Sequence, residues 1–409
     1  MKTTACSDVA DYVWLTGDEA CAILVDLADD HTPLHSLTAR LRRSFTAPRT
    51  HLLLEQVELR RRAKVKFENA DRMFFTRIGL EQATDQWVAA YKASRVLDQR
   101  AAASARLSLS NAAPTRVIAD LCCGIGGDLT ALATGGSAIG IDLDPIAAHF
   151  AAINSGQKVH KCDVEEFDFA NVTAWHIDPD RRPTGKRTTS LDFSTPNGET
   201  INRIIQRAPN AAIKLAPATI VPPDWVDRCE LEWISRDREC RQLVAWHGGL
   251  AQHPGKRRAT ILPAAASTPV RSLIGMPKLP VTIAKQPDRF IFDIDSAVLA
   301  AHLKGALAAE HGLSALGRGP TYLTGPKPIH DAALACFEVV EVLPLETRKL
   351  ARMLQARGIG KLEIKKRGVE IQPEKLRRDL KLRGNNTATL LLAQIADRSV
   401  AILAHRCAD

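Results

Sequence analysis

The chain has 409 residues, of which 45% are apolar and 25% charged, an ordinary composition for a globular protein of two or three domains. The net charge of +9 permits a polyanionic partner, and the nine cysteines form no C-x2-C pair or zinc-finger array, so we expect reduced thiols and no metal site. Acidic residues near the N-terminus replace the apolar core of a signal peptide and no run of eighteen apolar residues occurs, which predicts a soluble cytoplasmic protein without a membrane partner.

The first hundred residues carry the spacing of α-helices. Apolar residues recur every three or four positions in EACAILVDLAD, LHSLTARLRRSF, HLLLEQVELRRRAKVKF and QWVAAYKASRVL, which predicts an α-helical N-terminal domain over residues 1–99. The basic run from Arg60 to Lys66 could contact phosphate, but a solvated helix face is the simpler interpretation.

The segment MFFTRIGLEQAT, residues 73–84, precedes the central domain. Paired aromatic residues beside a turn at this point can cover a bound ligand, so Phe75 is a candidate substrate contact. Core packing of Phe74 and Phe75 is the alternative. The following stretch, Ala101–Pro114, reads as a connector whose alanines could also extend a helix.

The stretch RVIADLCCGIGGDLTALATGGSAIGIDLDP, residues 116–145, predicts a strand, a glycine turn, a helix and a second strand. Such a βαβ crossover begins a doubly wound parallel sheet. A ligand should therefore lie at the carboxyl ends of these strands.

The spacing within the turn limits the choice of ligand. A dinucleotide fingerprint needs a third glycine three residues after Gly126, but that position holds leucine, and no Gly-Lys-Ser/Thr phosphate loop follows. Asp120, Gly124 and Asp128 instead belong to an acidic turn that lacks a basic residue for a pyrophosphate. Such a turn suits a ligand with an ammonium and a sulfonium, and Asp142 at the end of the next strand suits a ribose diol.

The motifs DLCCGIGGD, AIGIDLDP and KCDVEEFD resemble the first three motifs of class I S-adenosylmethionine-dependent methyltransferases. The glycine turn followed by IDLDP is most similar to trimethylguanosine synthase-like RNA methyltransferases and to bacterial relatives with a C-terminal THUMP-like domain. The resemblance implies S-adenosyl-L-methionine as methyl donor, with Asp120 and Gly124 against its methionine part, Asp142 on its ribose and Asp163 on its adenine. The donor-binding positions implied by the motifs are Asp120, Cys122, Gly124, Gly126, Asp128, Asp142, Leu143, Asp163 and Val164.

The fourth predicted strand, residues 172–177, ends in the sequence DPDRR. In the resembled fold this strand end lies beside the methyl group to be transferred. Many N-methyltransferases carry Asn/Asp/Ser-Pro-Pro-aromatic here, where a side-chain oxygen and a backbone carbonyl accept hydrogen bonds from the target amine and the ring stacks on the base. Asp178 and Pro179 match the first two positions of that pattern.

The next positions depart from the pattern. Asp180 replaces the second proline and Arg181 replaces the aromatic residue. Stacking on a base would therefore come from the guanidinium plane, or from Trp175 or Phe193. The sequence RRPTGKR forms a basic loop that could hold phosphate through Arg181, Arg182, Lys186 and Arg187; an ordinary charged turn is the alternative.

The stretch AAIKLAP, residues 211–217, predicts a fifth strand with Lys214 near the end of a buried run. A buried lysine needs a partner, and Asp178 at the neighbouring strand end is the natural one. A Lys–Asp pair also activates the hydroxyl in ribose 2′-O-methyltransferases, so this chemistry stays open. A lysine that extends to the surface is the structural alternative.

Residues 229–248 predict two alternating strands, and RRATILP predicts another. They match the strands that close a seven-stranded methyltransferase sheet. The proline-containing stretch 262–280 then suggests a domain boundary.

The last third has an α/β pattern of its own. FEVVEVLP, KLEIKKRG and a final hairpin predict strands, whereas ETRKLARMLQARG and PEKLRRDLKLRG predict helices. KLEIKKRG and the helix after it resemble the THUMP-like domain over residues 337–406. A basic cluster within nineteen residues predicts contact with an RNA backbone, with a solvated face as the alternative. Its members are Lys365, Lys366, Arg367, Arg377, Arg378, Lys381 and Arg383.

These observations predict an α/β protein with a Rossmann-like seven-stranded methyltransferase sheet over residues 100–270, an α-helical N-terminal domain, and a small C-terminal α/β domain over residues 281–409. The predicted function is methylation of a base amino nitrogen in a structured RNA such as tRNA or rRNA. Ribose 2′-O methylation, methylation of a small molecule, and an inactive RNA-binding adaptor are the alternatives. The predicted reacting centre comprises Asp178, Pro179, Arg181 and Lys214, and the predicted substrate contacts are Phe75, Arg182, Lys365, Lys366 and Arg367.

Overall fold

The computed structural model describes residues 8–107, 117–181, 188–264, 268–395 and 398–407, with side chains described through residue 98 in the helix that ends at Leu107. The chain divides into two compact units. The first comprises Met1–Cys229 and Val244–Gln252, and the second comprises Glu230–Leu243 and His253–Asp409. The predicted division into three domains, residues 1–99, 100–270 and 281–409, is not tested by this grouping and stays a prediction.

The first unit begins with the predicted helical segment. Its helices are α1 Val9–Leu15, α2 Asp18–Ala28, α3 Leu34–Leu41, α4 Ala47–Ala63, α5 Arg77–Gln82 and α6 Gln86–Leu107. Leucines of the first four helices form an apolar core, in which Phe74 and Phe150 also take part. Because α6 continues to Leu107, the alanines of the predicted connector extend a helix up to that residue, and the rest of the connector lies outside the described residues.

The Rossmann-like core of the first unit follows in the predicted order. Its elements are β1 Val117–Leu121, α7 Gly127–Leu132, β2 Ala138–Asp142, α8 Pro145–Ser155, β3 Lys158–Lys161, β4 Val172–Ile177, α9 Gly198–Arg207, β5 Ala211–Leu215 and α10 Pro223–Val226. The strand order is β3-β2-β1-β4-β5, followed by β7 (Glu239–Trp246), whose last residues belong to this unit.

Strands β1 to β5 pair in parallel, with Leu121 opposite both Ile141 and Ile177. The carboxyl ends of β1, β2 and β4 therefore meet at one edge of the sheet. That edge carries Asp120, Asp142 and Asp178, which confirms the predicted Rossmann-like arrangement.

The second unit holds β6 Glu230–Arg236 and the first residues of β7, followed in the strand order by β8 Arg257–Leu262 and β9 Arg271–Gly275. β6 and β8 pair in parallel, and β8 and β9 pair antiparallel. Strand β9 lies within the stretch 262–280 that suggested a boundary. Strands β8 and β9 also extend the strand order beyond the seven predicted strands.

A second sheet of this unit has the order β11-β12-β10-β13-β16-β15-β14. The strands and helices predicted in the last third are confirmed, and helices α13 and α14 pack on β14 through a shared apolar core. The elements are β10 Phe290–Ile294, α11 Ser296–Ala300, α12 Lys304–His311, β11 Ser314–Ala315, β12 Leu323–Gly325, β13 Leu334–Pro344, α13 Thr347–Ala356, β14 Ile359–Arg367, α14 Pro373–Leu380, β15 Asn386–Ile395 and β16 Arg398–Arg406.

Within the described parts of the chain, no helix combines the length and the apolar character that crossing a membrane would require.

Candidate functional site

Two glycines shape the turn between β1 and α7. Gly126 has a φ of 84°, and a Cβ on it would lie 3.0 Å from the Cα atom of Ala151 in α8. Gly124 has a φ of 55°, and outside its immediate neighbours no described heavy atom lies within 4 Å of the place its Cβ would take. Helix α8 therefore packs closely on one side of the turn, whereas the side next to Gly124 is open to a ligand.

Asp142, at the end of β2, holds this turn in place. Its Oδ2 accepts a hydrogen bond from the Gly124 backbone N–H at 2.8 Å, and its Oδ1 accepts one from the Asp144 N–H at 3.0 Å. Burial raises the pKa of Asp142, and the two backbone hydrogen bonds oppose the rise. Each carboxylate oxygen can accept a second hydrogen bond, so the side chain can also receive the predicted ribose hydroxyls.

Asp120, at the end of β1, is only 1% exposed and pairs with a histidine that the sequence analysis did not single out. His176 Nδ1, on β4, lies 2.7 Å from Asp120 Oδ1, whereas Asp120 Oδ2 has no hydrogen-bond partner among the described residues. Burial raises the pKa of Asp120, and His176 opposes the rise. A buried oxygen without a partner is suited to accept a hydrogen bond from a ligand.

Asp128, in the first turn of α7, is also buried. The Lys92 ammonium of α6 lies 2.7 Å from its Oδ1, and the Thr84 hydroxyl donates to its Oδ2 at 2.8 Å. Burial alone would raise the pKa of Asp128, but Lys92 and His176 outweigh that effect and hold the pKa below its ordinary value. These contacts use both oxygens of Asp128, and its direct contact with the methyl donor stays a prediction.

Four carboxylates influence the Cys122 thiol electrostatically. Burial raises the pKa of Cys122 well above its ordinary value, and Asp142, Asp178, Asp120 and Asp163 add to the rise. The thiol is therefore protonated near neutral pH and is a poor nucleophile.

The remaining predicted donor contacts lie on the loops after β2 and β3. Leu143 is 62% exposed, which leaves its side chain open to a ligand. Asp163 is exposed and accepts a hydrogen bond from the Glu165 N–H at 2.9 Å, and the neighbouring Val164 is buried.

The end of β4 holds the predicted Lys–Asp pair. Lys214 of β5 donates a short hydrogen bond to the Asp178 carboxylate and a second one, 3.2 Å long, to the Gln82 carbonyl. Pro179, Arg181 and Lys214 line one small cavity. The structure thus brings the four predicted reacting-centre residues together, whereas Arg182 lies outside the described residues.

The segment of residues 73–84 reaches this centre, but through residues other than the predicted phenylalanine. The Gln82 side chain donates to Asp180 Oδ1 at 3.0 Å, and a Cβ on Gly79 would lie 2.5 Å from Ile125 in the glycine turn. Phe75 is fully buried and packs with Phe67 in a separate apolar core, which favours the packing interpretation of Phe75.

The candidate stacking residues separate clearly. Trp175 is fully buried in β4, where its Nε1 donates to the Ala208 carbonyl at 2.7 Å. Phe193 is 70% exposed. Its segment is held beside the end of β4 by two 2.8 Å backbone hydrogen bonds between Asp180 and Thr195. Phe193 is therefore available to a base, and Trp175 is not.

In the second unit, the three residues of the predicted basic cluster that lie on β14 are engaged in internal contacts. Lys365 and Arg367 both form ion pairs with the buried carboxylate of Asp293, at 3.2 and 3.0 Å. Lys366 donates to the Ile371 carbonyl at 2.8 Å. These partners reduce the charge available to phosphate, so the RNA contact of these three residues is not favoured by their surroundings.

Also in the second unit, Glu310, His311 and Asp331 lie close enough to share a metal ion. The Arg271 guanidinium lies among them, 2.6 Å from Glu310 and 3.1 Å from Asp331. Because Arg271 already supplies positive charge, we assign no metal to this cluster.

Sequence reasoning missed Gln82, Thr84, Lys92 and His176. Their contacts join positions between 44 and 132 residues apart, and no local pattern marks such pairs. The one usable signal was His176 itself, an ionisable residue two positions before Asp178 in a mostly apolar strand.

Comparison with known proteins supports the predicted class of enzyme. Relatives from two strains of Mycobacterium tuberculosis, CDC 1551 / Oshkosh and ATCC 25618 / H37Rv, are each named an uncharacterized S-adenosylmethionine-dependent methyltransferase. Each is 31% identical over 372 residues, which cover 87% of this chain and 96% of the relative. Residues 334–406 match the family described as THUMP domain-like.

A solved structure shares the fold. The crystal structure of a candidate methyltransferase from Porphyromonas gingivalis W83 superposes with a TM-score of 0.70 and covers 98% of both chains, at 17% identity. The identity to the mycobacterial relatives over nearly their whole length shows the family. The chain belongs to the S-adenosylmethionine-dependent methyltransferases, with S-adenosyl-L-methionine as its methyl donor.

Proposed function

We propose that this methyltransferase acts on RNA, at an amino nitrogen of a base. The observation that carries the proposal is the pair formed by Asp178 and Lys214. The Asp178 side chain is 23% exposed, whereas that of Lys214 is 8% exposed, so the carboxylate is the member of the pair that a substrate can reach. A carboxylate accepts hydrogen bonds, which suits the N–H groups of a base amine.

The residues around the glycine turn fit the methyl donor. Asp120 has a buried oxygen without a partner among the described residues, and the space beside Gly124 is open. Asp120 would hold the ammonium of the ligand and Asp142 its ribose hydroxyls. When bound there, S-adenosylmethionine supplies a methyl group that its sulfonium already activates.

Asp178 would position the amine that accepts the methyl group. Its carboxylate would accept a hydrogen bond from the target amine and orient the nitrogen lone pair. The proton that the nitrogen loses, as the N–C bond forms and the S–C bond of the donor breaks, would pass to water. Since the methyl group is already activated, positioning and exclusion of water would supply most of the rate enhancement. Phe193 would stack on the base in place of the aromatic residue missing from DPDRR.

An RNA substrate is also supported by the surface of helices α13 and α14. These helices pack together over β14 and lie within residues 334–406, which match the THUMP domain-like family. These helices and the loop after α14 carry six exposed cations that have no ion-pair partner among the described residues. They are Arg348, Arg352, Lys375, Arg378, Lys381 and Arg383. Cations without acidic partners are suited to phosphate contacts, so we place the RNA backbone on this helical face.

A second candidate is ribose 2′-O methylation, which the contact between Lys214 and Asp178 favours. In that reaction the lysine and the carboxylate would share the proton of the attacking hydroxyl. The burial of Lys214 and its second hydrogen bond to the Gln82 carbonyl make direct contact between this lysine and a hydroxyl harder, so the amine remains our first choice.

The test is to incubate the purified protein with unmodified tRNA and rRNA transcripts and methyl-tritiated S-adenosylmethionine, and then to digest the RNA to nucleosides. We expect label in an N-methylated base. Label in a 2′-O-methyl nucleoside would establish the second candidate instead.

The same experiment separates the other classes of function. If the protein binds the methyl donor and RNA but transfers no label, it is an inactive adaptor. If label enters small metabolites of an extract but no RNA, and RNA binding shows no salt dependence, the RNA proposal is wrong.

A further inference from the structure

A chain of buried polar side chains connects the N-terminal helical segment to the glycine turn. Lys92 of α6 lies 2.7 Å from Asp128 Oδ1 and 2.9 Å from His176 Nε2. His176 Nδ1 lies 2.7 Å from Asp120 Oδ1. All four side chains are at most 10% exposed. Four buried ionisable groups in one chain are costly unless each is matched to its neighbour.

The hydrogen-bond roles along this chain fix where the protons lie. An ammonium has only donors, so Lys92 donates to both Asp128 and His176 Nε2. His176 Nε2 is then an acceptor, and the single proton of the neutral ring lies on Nδ1. His176 therefore donates to Asp120, which is held as an ionised acceptor in a fixed orientation.

The far end of the chain is incomplete. Asp120 Oδ2 is buried and has no hydrogen-bond partner among the described residues, although Asp120 adjoins the open side of the glycine turn. An ionised carboxylate with one satisfied and one unsatisfied oxygen matches a cationic N–H donor.

We propose that Lys92 and His176 are positioning residues that keep Asp120 ionised and oriented to bind the amino group at the methionine end of the methyl donor. This inference rests on the assignment of Asp120 to that end of the ligand and does not depend on the RNA proposal. Helix α6, which lies outside the Rossmann-like core, thereby contributes to binding of the methyl donor.

The test uses calorimetry without RNA and compares two ligands: S-adenosylhomocysteine and its analogue in which hydrogen replaces the amino group. The wild-type protein should bind the amino compound at least about tenfold more tightly, since a buried charge-assisted hydrogen bond is at stake. In His176→Leu and Lys92→Met this preference should fall to about twofold or less. Affinity for the analogue should hardly change in either variant.

Two further variants separate positioning from general damage. His176→Asn can still donate from a position near Nδ1, so it should keep most of the preference. Gln56→Leu removes a different fully buried polar group, whose hydrogen bonds among the described residues are to the Phe75 backbone, and it should lower stability while the preference stays at the wild-type value.

The outcomes are decisive in both directions. Equal affinity of the wild-type protein for the two ligands overturns the inference, as does an unchanged preference in folded His176→Leu and Lys92→Met. If those two variants do not fold, nitrogen-15 spectra of histidine-labelled wild-type protein decide. A neutral His176 with its proton on Nδ1 supports the inference, and an imidazolium or an Nε2–H ring contradicts it.

Discussion

Two buried carboxylates, Asp120 in the first unit and Asp293 in the second, lie in ionic clusters of different completeness. Asp293 is 3% exposed, and both its oxygens are used: Oδ1 by Arg367 at 3.0 Å and Oδ2 by Lys365 at 3.2 Å. Asp120 is 1% exposed, and His176 bonds to only one of its oxygens.

The difference shows why charge in a sequence is a poor guide to a binding surface. The basic run on β14 looked available to phosphate, yet its cations neutralise a buried acid. Asp120, at the end of β1 beside the acidic turn predicted to bind a ligand, keeps a carboxylate oxygen without a partner among the described residues. A complete cluster stabilises the fold, whereas an incomplete one can recognise a ligand.

The largest expected effect is that of a substitution at Asp178, which lies at the same edge of the sheet as Asp120. Asp178→Ala should lower the rate of methyl transfer to RNA by about a thousandfold, near 4 kcal/mol, because the target amine loses its hydrogen-bond acceptor. Affinity for S-adenosylhomocysteine should change less than about threefold on the same reasoning, as measured by calorimetry.

Asp178→Asn is the matched variant, because it keeps an acceptor oxygen and removes the charge. For an amine substrate it should retain activity within about tenfold of wild type. If it loses as much as Asp178→Ala, the ribose hydroxyl becomes the better candidate acceptor. Transfer at the wild-type rate by Asp178→Ala would contradict the placement of the reacting centre.

The complete cluster should respond in stability alone. Asp293→Ala leaves Lys365 and Arg367 without their shared acid and should lower the free energy of unfolding by about 3 kcal/mol. Affinity for S-adenosylhomocysteine should not change. Urea denaturation and calorimetry measure the two quantities.

Glu338→Ala is the control for Asp293→Ala. It removes the partner of Arg289 from an exposed ion pair, which should cost less than about 0.5 kcal/mol. If Asp293→Ala is as mild as this control, or if it weakens binding of S-adenosylhomocysteine, the division of roles between the two clusters is wrong.

Much of the fold was predictable because local signals determine it. The glycines at 124 and 126, the alternating strands and the helix periods are all read within short windows, and the structure confirms the doubly wound parallel sheet that they predict. The site was predictable only where a motif is contiguous, as at Asp120, Asp142 and Asp178.

The rest depends on contacts between distant positions. Lys92 reads as one more polar residue of an amphipathic helix, but it is 2% exposed and meets His176 84 residues later. Lys365 and Arg367 meet Asp293 more than seventy residues away in the chain. Tertiary packing decides whether such a charge is free, and local sequence patterns do not contain that information.

His247 is a third buried titratable group. Its Nε2 has no hydrogen-bond partner among the described residues. Burial lowers the pKa of His247 to about 4. Between pH 6.5 and 4 the unfolded chain takes up a proton that the folded ring refuses, so stability falls as the pH decreases through this window. The loss should be about 2 kcal/mol at pH 5, and His247 should not contribute above pH 7.

This prediction is measured as the difference between wild-type protein and His247→Phe, since carboxylates also titrate in acid. The wild-type free energy of unfolding should drop more steeply between pH 6.5 and 4 than that of the variant. Parallel curves would show that His247 is protonated in the folded state as readily as in the unfolded chain.

Asp142, at the end of β2, is the second carboxylate expected to bind the methyl donor at this edge of the sheet. Asp142→Ala should weaken binding of S-adenosylhomocysteine by about twentyfold, because the ribose hydroxyls lose their acceptor and the Gly124 N–H loses its anchor. Asp142→Asn keeps one acceptor oxygen and should lose less. Equal affinity of Asp142→Ala and wild type would overturn the assignment of Asp142 to the ribose.

The smallest effect concerns the helical face of the second unit. Replacing Arg352 and Arg378 together by glutamine should weaken RNA binding by about five- to tenfold at moderate salt, and should reduce the slope of log affinity against log salt by about 2, since two phosphate contacts are lost. Lys327→Gln removes an exposed lysine outside these helices, and Lys365→Gln removes a cation already paired with Asp293. Both should leave the salt slope unchanged, because neither charge is proposed to contact phosphate. If Lys365→Gln reduces the slope and the helical double variant does not, the RNA backbone follows β14 after all, and the paired cations must exchange Asp293 for phosphate on binding.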